Sequence, residues 1–173
     1  MPGQGCPGDN MGLFGSSGIR GLIGKDIDAE MGVRIGRAVG SLSGTVVVGW
    51  DPRTSGDMLV SALVAGMIEA GAEPYRAGMV PTPTLARAAS HFDCGVMVTA
   101  SHNPREYNGM KLVGRGAVPL PDADFARIRT LTEGGEDFAS APGGARENQS
   151  TVRVEYVAHV AALVGQGIGT LRL

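Results

Sequence analysis

Short β-branched runs and segments of helical period take turns along this chain, and that alternation narrows the possible folds more than any other feature. "TVVVG" (Thr45 to Gly49) is a run of the kind buried inside a parallel sheet. Before it, Met31, Ile35, Ala38, Val39 and Leu42 recur at helical spacing behind Asp28, a natural N-cap. After it, a second helix begins at Ser55, sets Leu59, Ala62, Leu63, Gly66 and Ala70 on one face, and stops at Gly71, which can take the left-handed closing conformation. "EPYRAG" reads as a strand, and "TPTLARAASH" as a helix with Thr82 as cap and Pro83 at the first helical position, where a missing N–H costs nothing. "CGVMVTAS" and "GMKLVG" supply two more strands, and Asp122 caps a helix carrying Phe125, Ile128 and Leu131. The class is α/β, with a mostly parallel or mixed sheet covered by helices on both faces.

Length and composition agree with one folded unit. The chain has 173 residues, 43% of them apolar, which is enough to bury a core, and it contains no internal repeat. Residues 1–10, "MPGQGCPGDN", are rich in Gly and Pro and precede a second methionine, so they read as a disordered extension to a domain spanning 11–134. From 135 to 151 the sequence is polar, Gly-rich and aperiodic, as a linker is. Residues 152–173 form a further helix with Val154, Val157, Val160, Ala161 and Val164 apolar, and a lone helix cannot make a second core.

Several function classes fall away. No apolar run approaches the roughly 20 residues of a membrane span, and the first residues have neither the basic nor the apolar region of a secretory signal, so a cytoplasmic protein with no membrane partner is expected. The formal net charge of −2 argues against a non-specific nucleic-acid binder, so an anionic ligand must be held by locally placed Arg and Lys. Cys6 and Cys94 lack metal-ligand spacing and are expected as reduced thiols.

Some motifs match only as strings. "GQGCPG" fits the dinucleotide pattern G-x-G-x-x-G, but no strand precedes it and no helix follows closely. "NQS" at Asn148 fits a glycosylation acceptor without a secretory signal to give it meaning. Ser101 stands beside His102, yet adjacent side chains leaving a strand diverge and the G-x-S-x-G elbow is missing, so an acyl-transfer triad drawing on His91 or His159 is not expected. Asp122 and Asp124 form a D-x-D pair, but at a helix start acidic residues complement the dipole and need no metal.

Three stretches make sense together. "FGSSGIRG" brackets Arg20 with glycines. "GWDPRTSG" sets Asp51 and Arg53 just past the end of a strand. "TASHNP" with "YNGMK" sets Ser101 and Lys111 past the end of another. Ligands of open α/β sheets bind at that carboxyl edge, and the three turns can converge there on one anion site.

In order and spacing, "FGSSGIRG", "VVVGWDPRTSG", "VPTPTLARA" and "VTASHNPREYNGMKL" resemble the first domain of the α-D-phosphohexomutase superfamily, an α/β/α sandwich. The resemblance runs from about Phe14 to about Leu112, and "VEYVAHVAAL" looks like the opening helix of the second domain. It implies that Ser101 carries a phosphoryl group, passed to a hexose monophosphate through a 1,6-bisphosphate so that phosphate moves between the 1- and 6-positions. It implies Lys111 as general acid/base, Arg20 on phosphate or sugar oxygens, and His102 and Asn103 shaping the serine loop. Pro104 would stiffen its exit, and Arg53 would either serve the site or simply hold the Asp51 turn. It also implies Mg²⁺ bound through the phosphate on Ser101, a glucose 1,6-bisphosphate-type activator, and hexose phosphates as partners. The superfamily's D-G-D-x-D-R metal loop and its sugar-recognition domains have no counterpart in this sequence. An N-terminal fragment that turns over weakly alone, with the remaining mutase domains supplied in cis or in trans, is the resulting expectation. Phosphoglucosamine mutase and a non-catalytic phosphosugar-binding module are the alternatives.

Overall fold

The alternation becomes a single mixed sheet with helices against both faces. The computed structural model describes residues 13–15, 18–134, 144–147 and 149–167. Its elements are β1 (Phe14–Gly15), β2 (Gly18–Leu22), α1 (Ala29–Leu42), β3 (Thr45–Trp50), α2 (Gly56–Glu69), β4 (Glu73–Met79), α3 (Thr82–Ala88), a 3-10 turn (Ala89–His91), β5 (Cys94–Val98), β6 (Tyr107–Gly114), α4 (Asp122–Gly134), β7 (Arg146–Glu147) and α5 (Gln149–Gly167). The extension 1–10, with Cys6 and "GQGCPG", lies outside the described residues, as do Asn148 and much of the stretch read as linker.

Among the described residues the sheet has seven strands in the order β1-β2-β6-β5-β3-β4-β7. β3 runs parallel to β4 and β5, and β7 parallel to β4, whereas β6 is antiparallel to both β5 and β2. Both faces of the centre are covered, which is why β3 and β5 read as continuous apolar runs. Val46, Val48, Val96 and Val98 face α1, α2 and α4, packing with Ile35, Leu59, Leu63 and Ile128. Val47 and Met97 face α3, packing with Leu85, Ala88 and Phe92.

Local chemistry sets the helix ends. Asp28 Oδ1 accepts the Met31 N–H at 2.8 Å, capping α1 as its sequence predicts. Gly71, at φ 88°, closes α2 by donating to the Ile68 carbonyl at 3.0 Å. Two expected caps shift by one residue. Pro81 is the N-cap of α3, so Thr82 takes the first helical position and Pro83 the second, still within the turn whose N–H groups lack helical partners. Asp122 is already helical, and the Pro121 carbonyl accepts the Phe125 N–H at 3.0 Å; Asp122 and Asp124 remain as first-turn acids.

α1 and α2 touch backbone to backbone. A Cβ on Gly36 would lie 2.2 Å from the Leu63 carbonyl oxygen, and one on Gly66 would lie 2.2 Å from that of Val33. Arg37 and Glu69 bridge the same pair of helices with two bonds, at 2.8 and 2.9 Å.

The C-terminal region is joined to the sheet. Inside the stretch read as linker, Arg146 and Glu147 pair with Tyr75 and Arg76 of β4. α5 begins at Gln149, Val152 is 3% exposed within the α3-side cluster, and Arg153 Nη2 donates to the Met79 carbonyl at 3.0 Å. Beyond that anchor Val154, Val157 and Leu163 are exposed.

Candidate active site

The chain leaves β3, crosses one face of the sheet as α2 to reach β4, and returns over the other face as α3 to β5, on the opposite side of β3. The strand order therefore reverses between β3 and β5, and the crevice beyond their carboxyl ends is where such sheets bind ligands. Trp50 pairs with Val98, so the loops that follow the two strands emerge side by side.

Arg53 joins those loops. Its side chain is 12% exposed. Nε donates to Asp51 Oδ2 at 3.1 Å, Nη1 to the carbonyls of Pro104 and Tyr107 at 2.7 and 3.0 Å, and Nη2 to those of Ser101 and Asn103 at 2.9 and 2.7 Å. A guanidinium has five N–H donors, and all five are used. Asp51 is engaged too: Oδ1 accepts the Arg53 N–H at 3.1 Å and Oδ2 accepts the Thr99 hydroxyl at 2.7 Å. The Thr99 oxygen in turn accepts the Ser101 N–H at 2.9 Å. Held from both sides, Ser101 sits at φ 59°, a left-handed conformation that costs a non-glycine residue about 1–2 kcal/mol. Such strain persists where the surroundings over-determine it.

Ser101 is exposed on a ridge between two cavities. One, of about 950 Å³, is lined by Asp51, Arg53, Ser55, Asn103 and Arg105. The other, of about 610 Å³, is lined by Met79, Val80, Pro81, Thr82 and His102. His102 and Asn103 thus diverge to either side of the serine. Among the described residues the Ser101 hydroxyl has no hydrogen-bond partner. Beneath the loop, buried Asn108 donates to Ser55 Oγ at 2.8 Å, fixing the start of α2. A Cβ on Gly109 would lie 2.0 Å from the Ile19 carbonyl oxygen, so "YNGMK" needs its glycine for β2 and β6 to pair.

Two of the three expected turns converge; no residue of the third, Phe14 to Gly21, lines either cavity beside Ser101, and only Ile23, two residues beyond it, lines the larger one. Arg20 lies in mid-strand on β2 opposite Gly109, and Lys111 lies on β6 opposite Met97, four residues before Ser101. Gly109 and Lys111 are two apart on one strand, so Arg20 and Lys111 share a sheet face. They line a third cavity of about 650 Å³ with Phe14, Asp122, Phe125 and Arg129, and neither lines a cavity that Ser101 lines. No triad forms around the serine: His91 ends the turn that precedes β5, at the opposite end of that strand, and His159 is on α5.

The residues described do not by themselves fit Mg²⁺. They contain no cluster of three His, Cys, Asp or Glu side chains able to hold an ion, and Asp51, the carboxylate that lines both cavities with the serine, is committed to Arg53 and Thr99. A hard cation takes about six oxygen ligands, and a phosphate on Ser101 would supply only part of that set.

The fold recurs in known proteins. Residues 11–138 match the family model for phosphoglucomutase/phosphomannomutase, alpha/beta/alpha domain I. A phosphoglucosamine mutase of Thermosipho africanus is 47% identical over 120 residues, covering 68% of this chain and 28% of that protein. One from Clostridium tetani is 38% identical over 148 residues, covering 81% of this chain and 33% of that protein. A phosphoglucomutase/phosphomannomutase family protein of Burkholderia thailandensis superposes with a TM-score of 0.76 at 34% identity, over 93% of this chain and 37% of that one. The chain thus spans only about a quarter to a third of the length of the curated relatives it matches. With the family model covering β1 to β6, the serine loop and helices α1 to α4, the chain belongs to the phosphoglucomutase/phosphomannomutase family and carries its alpha/beta/alpha domain I.

Proposed function

We propose that Ser101 is the phosphoryl carrier of a phosphohexomutase and that this chain contributes the domain presenting it. The observation that carries this reading is the exposed Ser101 hydroxyl on the carboxyl rim of β5, its own N–H and C=O both tied to the loop scaffold. A phosphoserine brings about −1.5 to −2 charges and three acceptor oxygens. In the proposed cycle a P–O bond forms at Ser101 Oγ as one breaks at a hexose bisphosphate oxygen, which takes the serine proton; the reverse step returns the group to the other sugar position. Such transfer depends on positioning and charge stabilisation. Lys111 acts as general acid/base, while Arg20, Lys111 and Asn103 bind sugar or phosphate oxygens. Lys111 lines a neighbouring cavity and not the two that Ser101 lines. His102 completes the serine loop.

The remaining mutase domains, in cis or in trans, would cover the exposed apolar side of α5 and supply sugar recognition. Any divalent cation must draw further ligands from them. A cytoplasmic location suits a charged sugar-phosphate substrate, and no helix among the described residues is long and apolar enough to cross a membrane. Relatives named as phosphoglucosamine mutases favour glucosamine phosphate as the substrate over glucose or mannose phosphate.

The test is the intact mass of the chain after incubation with glucose or glucosamine 1,6-bisphosphate and Mg²⁺, with the remaining domains of a phosphoglucosamine mutase relative supplied. One added phosphoryl group, mapped to Ser101 and missing in Ser101→Ala, is the expected result. No added group, or one retained by Ser101→Ala, would overturn the reading and leave a non-catalytic module.

A further inference from the structure

We propose that Arg53 is the positioning residue of the serine loop and that its guanidinium, although it lines the larger cavity beside Ser101, is not a phosphate ligand. This rests on the proposed function for what the loop is for, and on geometry alone for how the loop is held. An arginine that binds an anion presents a free edge of its planar fork. Here Nε faces Asp51, Nη1 spans the carbonyls of Pro104 and Tyr107, and Nη2 spans those of Ser101 and Asn103, so no N–H remains for the cavity. Three of those carbonyls belong to the loop that leaves β5 and the fourth to Tyr107, the first residue of β6, and gathering them on one rigid plane fixes the loop's path. Ser101 is held left-handed between this contact and the Thr99 hydroxyl. Arg105 also lines the cavity, but its side chain is 95% exposed and, among the described residues, pairs only with neighbouring Glu106 at 3.5 Å.

The proposal separates shape from charge. A lysine keeps the charge of Arg53 but has three donors on one nitrogen and cannot span carbonyls from residues 101 to 107. Arg53→Lys should therefore behave as Arg53→Ala does. In both, amide exchange at Ser101 and Asn103 should rise at least about tenfold, and the maximal rate of Ser101 phosphorylation by a hexose 1,6-bisphosphate should fall roughly 100-fold, as misplaced reacting groups do, with the half-saturating concentration unchanged. Guanidinium ion, well below the concentrations that unfold the chain, should restore rate and protection to Arg53→Ala. Arg53→Lys retaining the wild-type rate while Arg53→Ala loses it would overturn the proposal, as would a loss confined to half-saturation.

Should both variants fail to fold, the wild-type chain still decides. Its Arg53 Nε–H resonance should be slow to exchange and unmoved by saturating inorganic phosphate, and a shift on titration would sink the idea. If the wild type accepts no phosphoryl group, the proposed function fails on its own, while the exchange and resonance measurements still judge Arg53.

Discussion

The hydroxyl of Thr99 donates to Asp51 Oδ2 at 2.7 Å and accepts the Ser101 N–H at 2.9 Å, so one side chain links the loop after β3 to the residue that the proposed chemistry uses. Valine has the same shape without the hydroxyl, and Thr99→Val leaves a half-buried N–H and a carboxylate oxygen short of a partner. The expected loss is about 1–3 kcal/mol in urea unfolding, with Thr99→Ser recovering most of it. Equal stability of Thr99→Val and wild type would remove the link.

Ser101 at φ 59° makes its own prediction. Glycine enters the left-handed region freely and alanine does not, so Ser101→Gly should be more stable than Ser101→Ala by about 1–2 kcal/mol, less about 0.5–1 kcal/mol for the greater freedom of unfolded glycine. Denaturant midpoints measured side by side would show it, and a more stable alanine variant would mean an unstrained loop.

In an exposed helix interior, alanine in place of glycine is a gain. At Gly66 the new Cβ would sit 2.2 Å from the Val33 carbonyl oxygen and 2.8 Å from the Arg37 nitrogen, both backbone atoms that cannot turn aside. Gly66→Ala and Gly36→Ala should each destabilise the chain by about 1–3 kcal/mol through overpacking, read from thermal or urea unfolding.

Cys94 is 1% exposed, and burial pushes its thiol up to about 12, outweighing a backbone hydrogen bond involving Val113 that favours the thiolate. The thiolate is the reacting form. Peptide mapping after iodoacetamide at pH 8 should find Cys94 unmodified in the folded chain and labelled after unfolding in urea. Rapid native labelling would place the thiol elsewhere.

Asp93 predicts a pH effect. The Thr45 backbone N–H holds its carboxyl below the ordinary value, helped by Arg115 and by the Thr45 hydroxyl. A carboxyl depressed by folding stabilises the native state above its unfolded pKa, about 3.9, and loses that contribution as pH falls through the lower folded value. Asp93→Asn should flatten the decline of the urea midpoint below pH 4. An unchanged acid slope would show that the group contributes nothing.

Element type was legible because it follows from local periodicity. The Asp28 cap, the "TVVVG" strand and the Gly71 stop lie where their own residues put them. The caps at Thr82 and Asp122 were displaced by one residue because prolines just before them, Pro81 and Pro121, supply the capping carbonyls. The pairing of Arg146 and Glu147 with β4 had no local signal at all: a two-residue edge strand has no period to read.

The residue types around Ser101, and their order along the chain, were fixed by the sequence itself, since a strand that ends in "TASHNP" must release that serine at its carboxyl edge. The tertiary structure alone decided the partners. It turned Arg53 inward onto four carbonyls, and it set Arg20 and Lys111 on a neighbouring stretch of sheet. The physical reason is that a guanidinium binds whatever acceptors the reversal between β3 and β5 brings within about 3 Å, and that meeting depends on chain crossings some 50 residues apart.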